Sequence, residues 1–568
     1  MAARSELIMH VAEKPDLCVN GDGSFTVRLR AARGYLHRVD LVWACKYRVS
    51  QPGAVTETPM ALIATTQDLD VFQVTVVPTD PRTAYVFRVT DRDGLAQYDS
   101  PAGLTPQDTL PSFQDSAYQL GYAFPSQRSI VPTLAKLPGV VYQIFPDRFD
   151  DSDPAKPSLA ARFAKQRPDQ LLGGNLDGIT ARLDYLKGLG VAAIYLTPVF
   201  KSSSYHRYDV EDYEHVDARL GGDQALLRLT ARAHELGLKV VLDDVFNHTS
   251  AKHLFFRDVI AKGPDSPYWD FYLCRGTPDP RKGNYERFAF ENYMPKINTA
   301  NPKAIAYFTK TCVAVTKRFG IDGWRFDVAD EIAHAFWQAM HTALRAVDPG
   351  ILLIGEDWMP AEDFVDHEQL DGVMNYPLRK IVVDLLASPH PIAAATAAER
   401  INTHLLRYAW PNDLSMLNLL SSHDVPRFYT LTGENPDKTL LGLAIMAALP
   451  GMLMVYYGDE LRMAGGPDPD NRRPVDWDRD HWDQDYLRAY AQVLAFRRLP
   501  AVIDGRPTIT ATGPLLAIRR QNAGQAVVLT ANAGDRPVPV AAGGRIIAAR
   551  GLAGGILQPY GYVLRQTD

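Results

Sequence analysis

From Val140 onward the chain repeats one unit, and that repeat restricts the fold more than any other feature. Val140-Val141-Tyr142-Gln143-Ile144 reads as a buried-type strand. Ile179, Leu183, Leu186 and Leu189 then mark one face of a helix, which Gly190 closes in the position that favours a left-handed residue. Strand Val191 to Leu196 follows at once. The unit recurs with Leu226, Leu229, Ala233 and Leu236, then Gly237 and strand Leu238 to Leu242. It recurs again with Ile305, Phe308, Cys312, Val315 and Phe319, then Gly320 and strand Ile321 to Phe326. Apolar strands joined by amphipathic helices mean a parallel sheet covered by helices. Further strands are expected at Ile351 to Ile354, Gly372 to Met374, Met416 to Leu420 and Met452 to Tyr457. Eight strands of this kind predict an α/β fold, a (β/α)8 TIM barrel.

The flanks read differently. Residues 1–125 carry strand-length apolar segments such as Val39 to Trp43 and Ala84 to Val89 between Asp, Gly and Pro turns, which predicts an N-terminal β-sandwich. The barrel is expected over 126–500 and a small C-terminal β-sandwich over 501–568. Inside the barrel, about 247–300 forms a long aromatic, Pro-rich segment after strand three, and so long a loop is usually functional. The 568 residues allow several domains of ordinary size, and a net charge of −6 argues against a nucleic-acid partner. Leu441 to Gly458 is apolar enough to suggest a membrane span, but Pro450-Gly451 divides it into a helix and a strand. Four widely spaced cysteines suggest neither a disulfide framework nor a zinc site. With no signal-like leader, a cytoplasmic protein is expected.

In a barrel, catalytic groups gather where the strands end. Strand three ends at Asp243, with Asn247-His248 beyond; strand four ends in Arg325-Phe326-Asp327; strand five in Gly355-Glu356; and His423-Asp424 follows strand seven. Glycoside hydrolysis needs two carboxyl groups flanking the bond, one protonated and one ionised. Arg325 and Asp327 are two apart and share a face of the strand, so the cation is expected to keep Asp327 ionised. Glu356 has Trp358 nearby and no basic neighbour in sequence, so a dry site should raise its pKa toward that of a general acid.

These segments resemble the α-amylase family of glycoside hydrolases. The motifs are Asp243-Asp244-Val245-Phe246-Asn247-His248, Gly323-Trp324-Arg325-Phe326-Asp327, Gly355-Glu356-Asp357-Trp358 and Ser422-His423-Asp424. The resemblance implies Asp327 as nucleophile, Glu356 as acid/base and Asp424 as transition-state stabiliser, with retention of configuration. It also implies sugar contacts at Tyr142, His206, Tyr208, His248, Arg325, Trp358, His423, Asp468 and Arg472. For Asp243, bracing of Arg325 and direct participation stand as alternatives. Met294-Pro295-Lys296-Ile297-Asn298 is similar to a signature of the neopullulanase, cyclomaltodextrinase and maltogenic amylase group, as is Val141 to Phe149. That group implies an oligosaccharide substrate, short or cyclic, and a homodimer.

Related enzymes often hold Ca2+ in an acidic loop after the first strand. Here the loop is Asp150 to Pro157, with Gly173-Gly174-Asn175 beyond it. Asp151 and Asp153 are possible ligands, but Lys156 and Pro157 occupy the place of an expected Asn-Asp pair. A solvated loop and no required cofactor is therefore expected, with calcium as the alternative. Rival functions are a transglycosylase or isomerase using the same intermediate, and a barrel that only binds carbohydrate.

Overall fold

The computed structural model describes residues 5–20, 23–78, 80, 82–120, 139–151, 153, 155–365 and 368–567. The expected boundary at 125/126 lies outside the described residues. The chain divides into two compact units.

The first unit comprises residues 1–131, 394–413 and 508–513. Its strands form two antiparallel sheets, one ordered Ile8–Met9, Phe25–Ala32, Leu69–Val76, Ala61–Thr65, the other running from Gly103–Pro106 to Thr56–Pro59. Alternation places Phe25, Val27, Leu29 and Ala31 in a shared core with Leu41, Phe87 and Val89 from the opposing sheet. The segment Thr83–Asp91 is apolar without alternation because both its faces are covered. Tyr85 and Phe87 enter the main core, while Ala84 and Val86 join a second cluster with Val42 and Phe113. Arg28, on the other face of its strand, donates to the Leu406 and Tyr408 carbonyls and so ties in the segment 394–413.

The second unit holds the barrel. Its strands, numbered here in chain order, are β1 (Val140–Ile144), β2 (Val191–Leu196), β3 (Lys239–Asp244), β4 (Gly323–Phe326), β5 (Leu352–Gly355), β6 (Gly372–Val373), β7 (Leu417–Asn418) and β8 (Met452–Tyr456). Every pairing is parallel, in the order β6-β5-β4-β3-β2-β1-β8-β7. A single parallel bridge, Met374 to Leu417, completes the ring between β6 and β7. Val141, Ala193, Tyr195, Val241, Leu352, Ile354, Met452 and Met454 fill the interior. Strand periodicity therefore directs Gln143, Asp243 and Arg325 inward as well.

The helices are α1 (Leu176–Leu189), α2 (Gly222–Glu235), α3 (Pro302–Phe319), α4 (His334–Arg345), α5 (Tyr376–Leu386), α6 (Pro436–Ala448) and α7 (Gln484–Leu494). Their boundaries are written locally. Asn175, Asn301 and Asn435 accept backbone N–H groups at the starts of α1, α3 and α6, and Gly190 and Gly320 end α1 and α3 with positive φ. Among the described residues no helix separates β5 from β6. The apolar stretch 441–458 is α6 followed by β8, as the Pro-Gly break predicts, and no helix among the described residues is long and apolar enough to cross a membrane. None of the four cysteines is in a disulfide.

Two buried arginines complete the C-terminal end of α6. Arg497 donates to the carbonyls of Ala447 and Leu449 at 3.1 and 3.0 Å and also reaches Gly451. Arg520, on strand Leu515–Gln521, donates to the Ala448 carbonyl at 2.7 Å. Terminal helix carbonyls carry partial negative charge and lack helical partners, so cations suit this position. The predicted C-terminal sandwich takes the form of one continuously bonded sheet, because the long strand Ile556–Thr567 pairs with Ala526–Asn532, Val538–Pro539 and Arg545–Ala553.

Candidate active site

The barrel register builds the centre of the site. Asp243 on β3 stands directly beside Arg325 on β4, and Phe326 beside Gly355 on β5. The buried Arg325 guanidinium therefore meets three acids. Its Nη1 donates to Asp243 Oδ1 at 2.9 Å and to Asp327 Oδ1 at 2.8 Å, and its Nη2 lies 3.0 Å from Glu356 Oε2. The expectation that Glu356 lacks a cation is thus corrected. No basic residue adjoins it in sequence, but strand pairing supplies one.

Backbone strain adds a second donor. Val328 has φ +47, an unusual conformation for a β-branched residue, and its N–H donates to Glu356 Oε2 at 3.0 Å. The Trp358 indole N–H donates to Glu356 Oε1 at 3.1 Å, while its ring lies flat on Tyr376 with centroids 4.0 Å apart. These contacts act on the two acids in opposite directions. Burial, then the Glu356 charge, pushes Asp327 well above the ordinary carboxylate range. Burial works to raise Glu356 too, but Arg325, the Val328 amide and the Trp358 indole outweigh it and hold Glu356 low.

Around this centre lies a polar frame. Asp243 is inaccessible to solvent and accepts the hydroxyls of Tyr195 and Tyr208 at 2.6 and 2.8 Å. Burial pushes it up to about 6 against the pull of Arg325. Of its two expected roles, bracing fits this position. Tyr208 stacks on His423 with an interplanar angle of 4°. His423 Nε2 lies 3.1 Å from Asp424 Oδ2, and Gln143 Nε2 meets its Nδ1 at 2.9 Å. Burial, with Arg472 and Arg325, keeps His423 far below its ordinary pKa; burial likewise lowers His206 to about 4 and His248 to about 3. At neutral pH these three rings offer hydrogen bonds and no charge. Burial and then the Glu356 charge bring Asp424 up to about 7.

Above the frame opens a cavity of about 410 Å³, within the range of small-ligand sites. Of the thirteen residues expected from sequence, nine line it: Asp327, Glu356, Asp424, His206, Tyr208, His248, Trp358, Asp468 and Arg472. Arg472 reaches Asp468 at 3.1 Å and donates to the His423 carbonyl at 2.9 Å. His248 Nε2 and Asp424 Oδ2 are buried without a hydrogen-bond partner among the described residues, so both have capacity for a ligand hydroxyl. Asp243, Arg325 and His423 stand beneath the cavity as its support.

Tyr142 is the misplacement. On β1 its neighbours Val141 and Gln143 face inward, so Tyr142 faces the helices, where its hydroxyl donates to Glu460 Oε1 at 2.7 Å. Gln143 reaches the site instead, and the two-residue period from Val141 would have identified it. Also unforeseen are Phe288, which stacks on His248 at 5.0 Å, and the cavity acids Glu291, Asp330 and Glu331. Phe288 and Glu291 come from the long segment after β3, whose folding is not periodic.

Residues 143–493 match the α-amylase catalytic domain, and residues 1–124 match the N-terminal Ig-like domain of α-amylases. Neopullulanase 2 of Thermoactinomyces vulgaris is 34% identical, with 88% of this chain and 86% of that protein aligned. Cyclomaltodextrinase of Thermoanaerobacter pseudethanolicus is 32% identical over 93% of this chain and 92% of its own. A solved cyclomaltodextrinase structure superposes with a TM-score of 0.89 at 28% identity, covering 99% of this chain and 100% of that one. With the matched catalytic domain spanning more than half of its length, this chain belongs to the α-amylase family of glycosidases.

Proposed function

We propose that this protein is a retaining glycoside hydrolase that cleaves α-1,4 and also α-1,6 glucosidic bonds in cyclodextrins, pullulan and maltooligosaccharides. The observation that carries the reading is the single guanidinium of Arg325 in contact with both Asp327 and Glu356. Such a bridge favours the short carboxyl separation that a covalent route needs. Asp327 attacks the anomeric carbon while Glu356 protonates the departing glycosidic oxygen. Glu356 then takes a proton from water, whose oxygen displaces Asp327. The proton must therefore lie on Glu356 when the bond breaks. Positive charge developing at the anomeric carbon favours ionised Asp327, which supports that placement. Asp424, with His423 and Arg472 beside it, holds sugar hydroxyls as the ring distorts.

The reading includes a homodimer and a cytoplasmic setting. The second is supported by a 32% identical Bacillus subtilis relative named as an intracellular maltogenic amylase. A monomer in light scattering at working concentration would remove the dimer. The chemical test is Asp327→Asn, which should lower kcat on cyclodextrin by at least about a thousandfold while oligosaccharide binding persists. Hydrolysis retained in that variant would overturn the assignment. Product analysis on cyclodextrin, pullulan, maltotriose and maltose separates hydrolysis from transfer to a second sugar.

A further inference from the structure

The loop after β1 is where this family suggests calcium, and the residues present do not fit that ion. Calcium takes six to eight oxygen ligands. The described acids and the amide of this loop already have partners. Asp150 Oδ2 accepts Arg182 Nε at 2.6 Å, and Asp153 pairs with Lys156 at 3.0 Å. Asn175 Oδ1 accepts the Gly178 N–H at 2.8 Å as the cap of α1. Asp147 pairs with Arg148 and accepts the N–H groups of Leu172 and Gly173. Three further oxygens face one side chain. Arg162 donates through Nε to the Pro157 carbonyl at 2.9 Å, through Nη1 to the Leu172 carbonyl, and through Nη2 to Asp151.

We propose that the Arg162 guanidinium is the resident cation of this loop and replaces a calcium ion. Its three nitrogens draw together Asp151, Pro157 and Leu172 by binding two backbone carbonyls and one carboxylate. That is the set of oxygens a hard cation would gather. The short helix Leu159–Phe163, capped by the Ser158 side chain, positions the arginine. The packing here is close: a Cβ on Gly173 would stand 3.2 Å from Arg162 Nη1, and one on Gly178 would strike the Asp150 carbonyl. A planar group with fixed donor directions suits three acceptors in different places, whereas a lysine ammonium is a point charge.

The test uses the full chain. Thermal unfolding of the wild-type protein should have the same midpoint in millimolar CaCl2 and in chelator, and isothermal titration with CaCl2 should show no stoichiometric binding. Arg162→Ala should lower the midpoint by several degrees with kcat per folded molecule unchanged, and Arg162→Lys should recover only part of the loss. A wild-type midpoint that falls in chelator, stoichiometric calcium binding, or an Arg162→Ala midpoint equal to wild type would each overturn the proposal. The wild-type measurements decide the matter even if Arg162→Ala does not fold.

Discussion

In the loop after β1 each acid has a cation of its own, Arg182 for Asp150, Arg162 for Asp151 and Lys156 for Asp153. At the barrel mouth, by contrast, Asp243, Asp327 and Glu356 share Arg325. Lys156 holds Asp153 below the ordinary carboxylate range, while burial and crowding lift Asp327 and Asp424 above it. A third arrangement has no ion-paired cation among the described residues. Glu460 is buried, accepts the hydroxyls of Tyr142 and Tyr185, and is pushed up to about 7 by burial. Burial together with the supply of cations and N–H donors, more than the number of acids, governs which carboxylates can hold a proton near neutrality.

Removing the shared cation should have the largest effect. Arg325→Leu is expected to lower kcat by at least about a hundredfold. Because Arg325 lowers the pKa of Asp243, Asp327 and Glu356, its loss raises all three, and the acid limb of kcat/KM should move to higher pH. An unmoved limb in a folded variant would break the comparison.

Glu460 tests the arrangement without an ion-paired cation. Its pKa rises from 4.5 to about 7 on folding, so the folded state binds the proton more tightly. The resulting stabilisation is complete below pH 4.5 and is lost as pH rises through 7, amounting to about 3 kcal/mol at most. Glu460→Gln should therefore flatten the fall in Tm between pH 5 and pH 8; an identical slope would show that another group sets it. The smallest effect is expected at the exposed pair of the loop. Lys156→Ala should leave Tm within about 1 °C of wild type, since exposed ion pairs contribute little. A larger drop would mean that the loop depends on more than Arg162.

Much of this architecture is legible in the amino-acid order. Eight apolar segments with their glycine and asparagine boundaries specify the barrel, because those signals are local. The strand-end position of Asp243, Arg325, Asp327 and Glu356 follows from the same reading. What is not legible depends on pairing between segments. The proximity of Arg325 and Glu356 arises from the β4–β5 register, and the cation on Asp151 comes from eleven residues further along the chain. Tyr142 is a different kind of error: its parity with Val141 is visible in the sequence and excludes it from the interior. The incorporation of residues 394–413 into the first unit has no local signal, since an amphipathic helix does not name its partner.

The two arginines on the end of α6 also bear on the order in which the protein is made. Arg520 lies 72 positions after the Ala448 carbonyl it receives, beyond the last barrel strand. During synthesis all eight strands are therefore complete before the second of those charges leaves the ribosome. The C-terminal sheet is in this respect a late component of the barrel's own assembly, and a chain cut before residue 520 would present a buried helix end with half of its counter-charge missing.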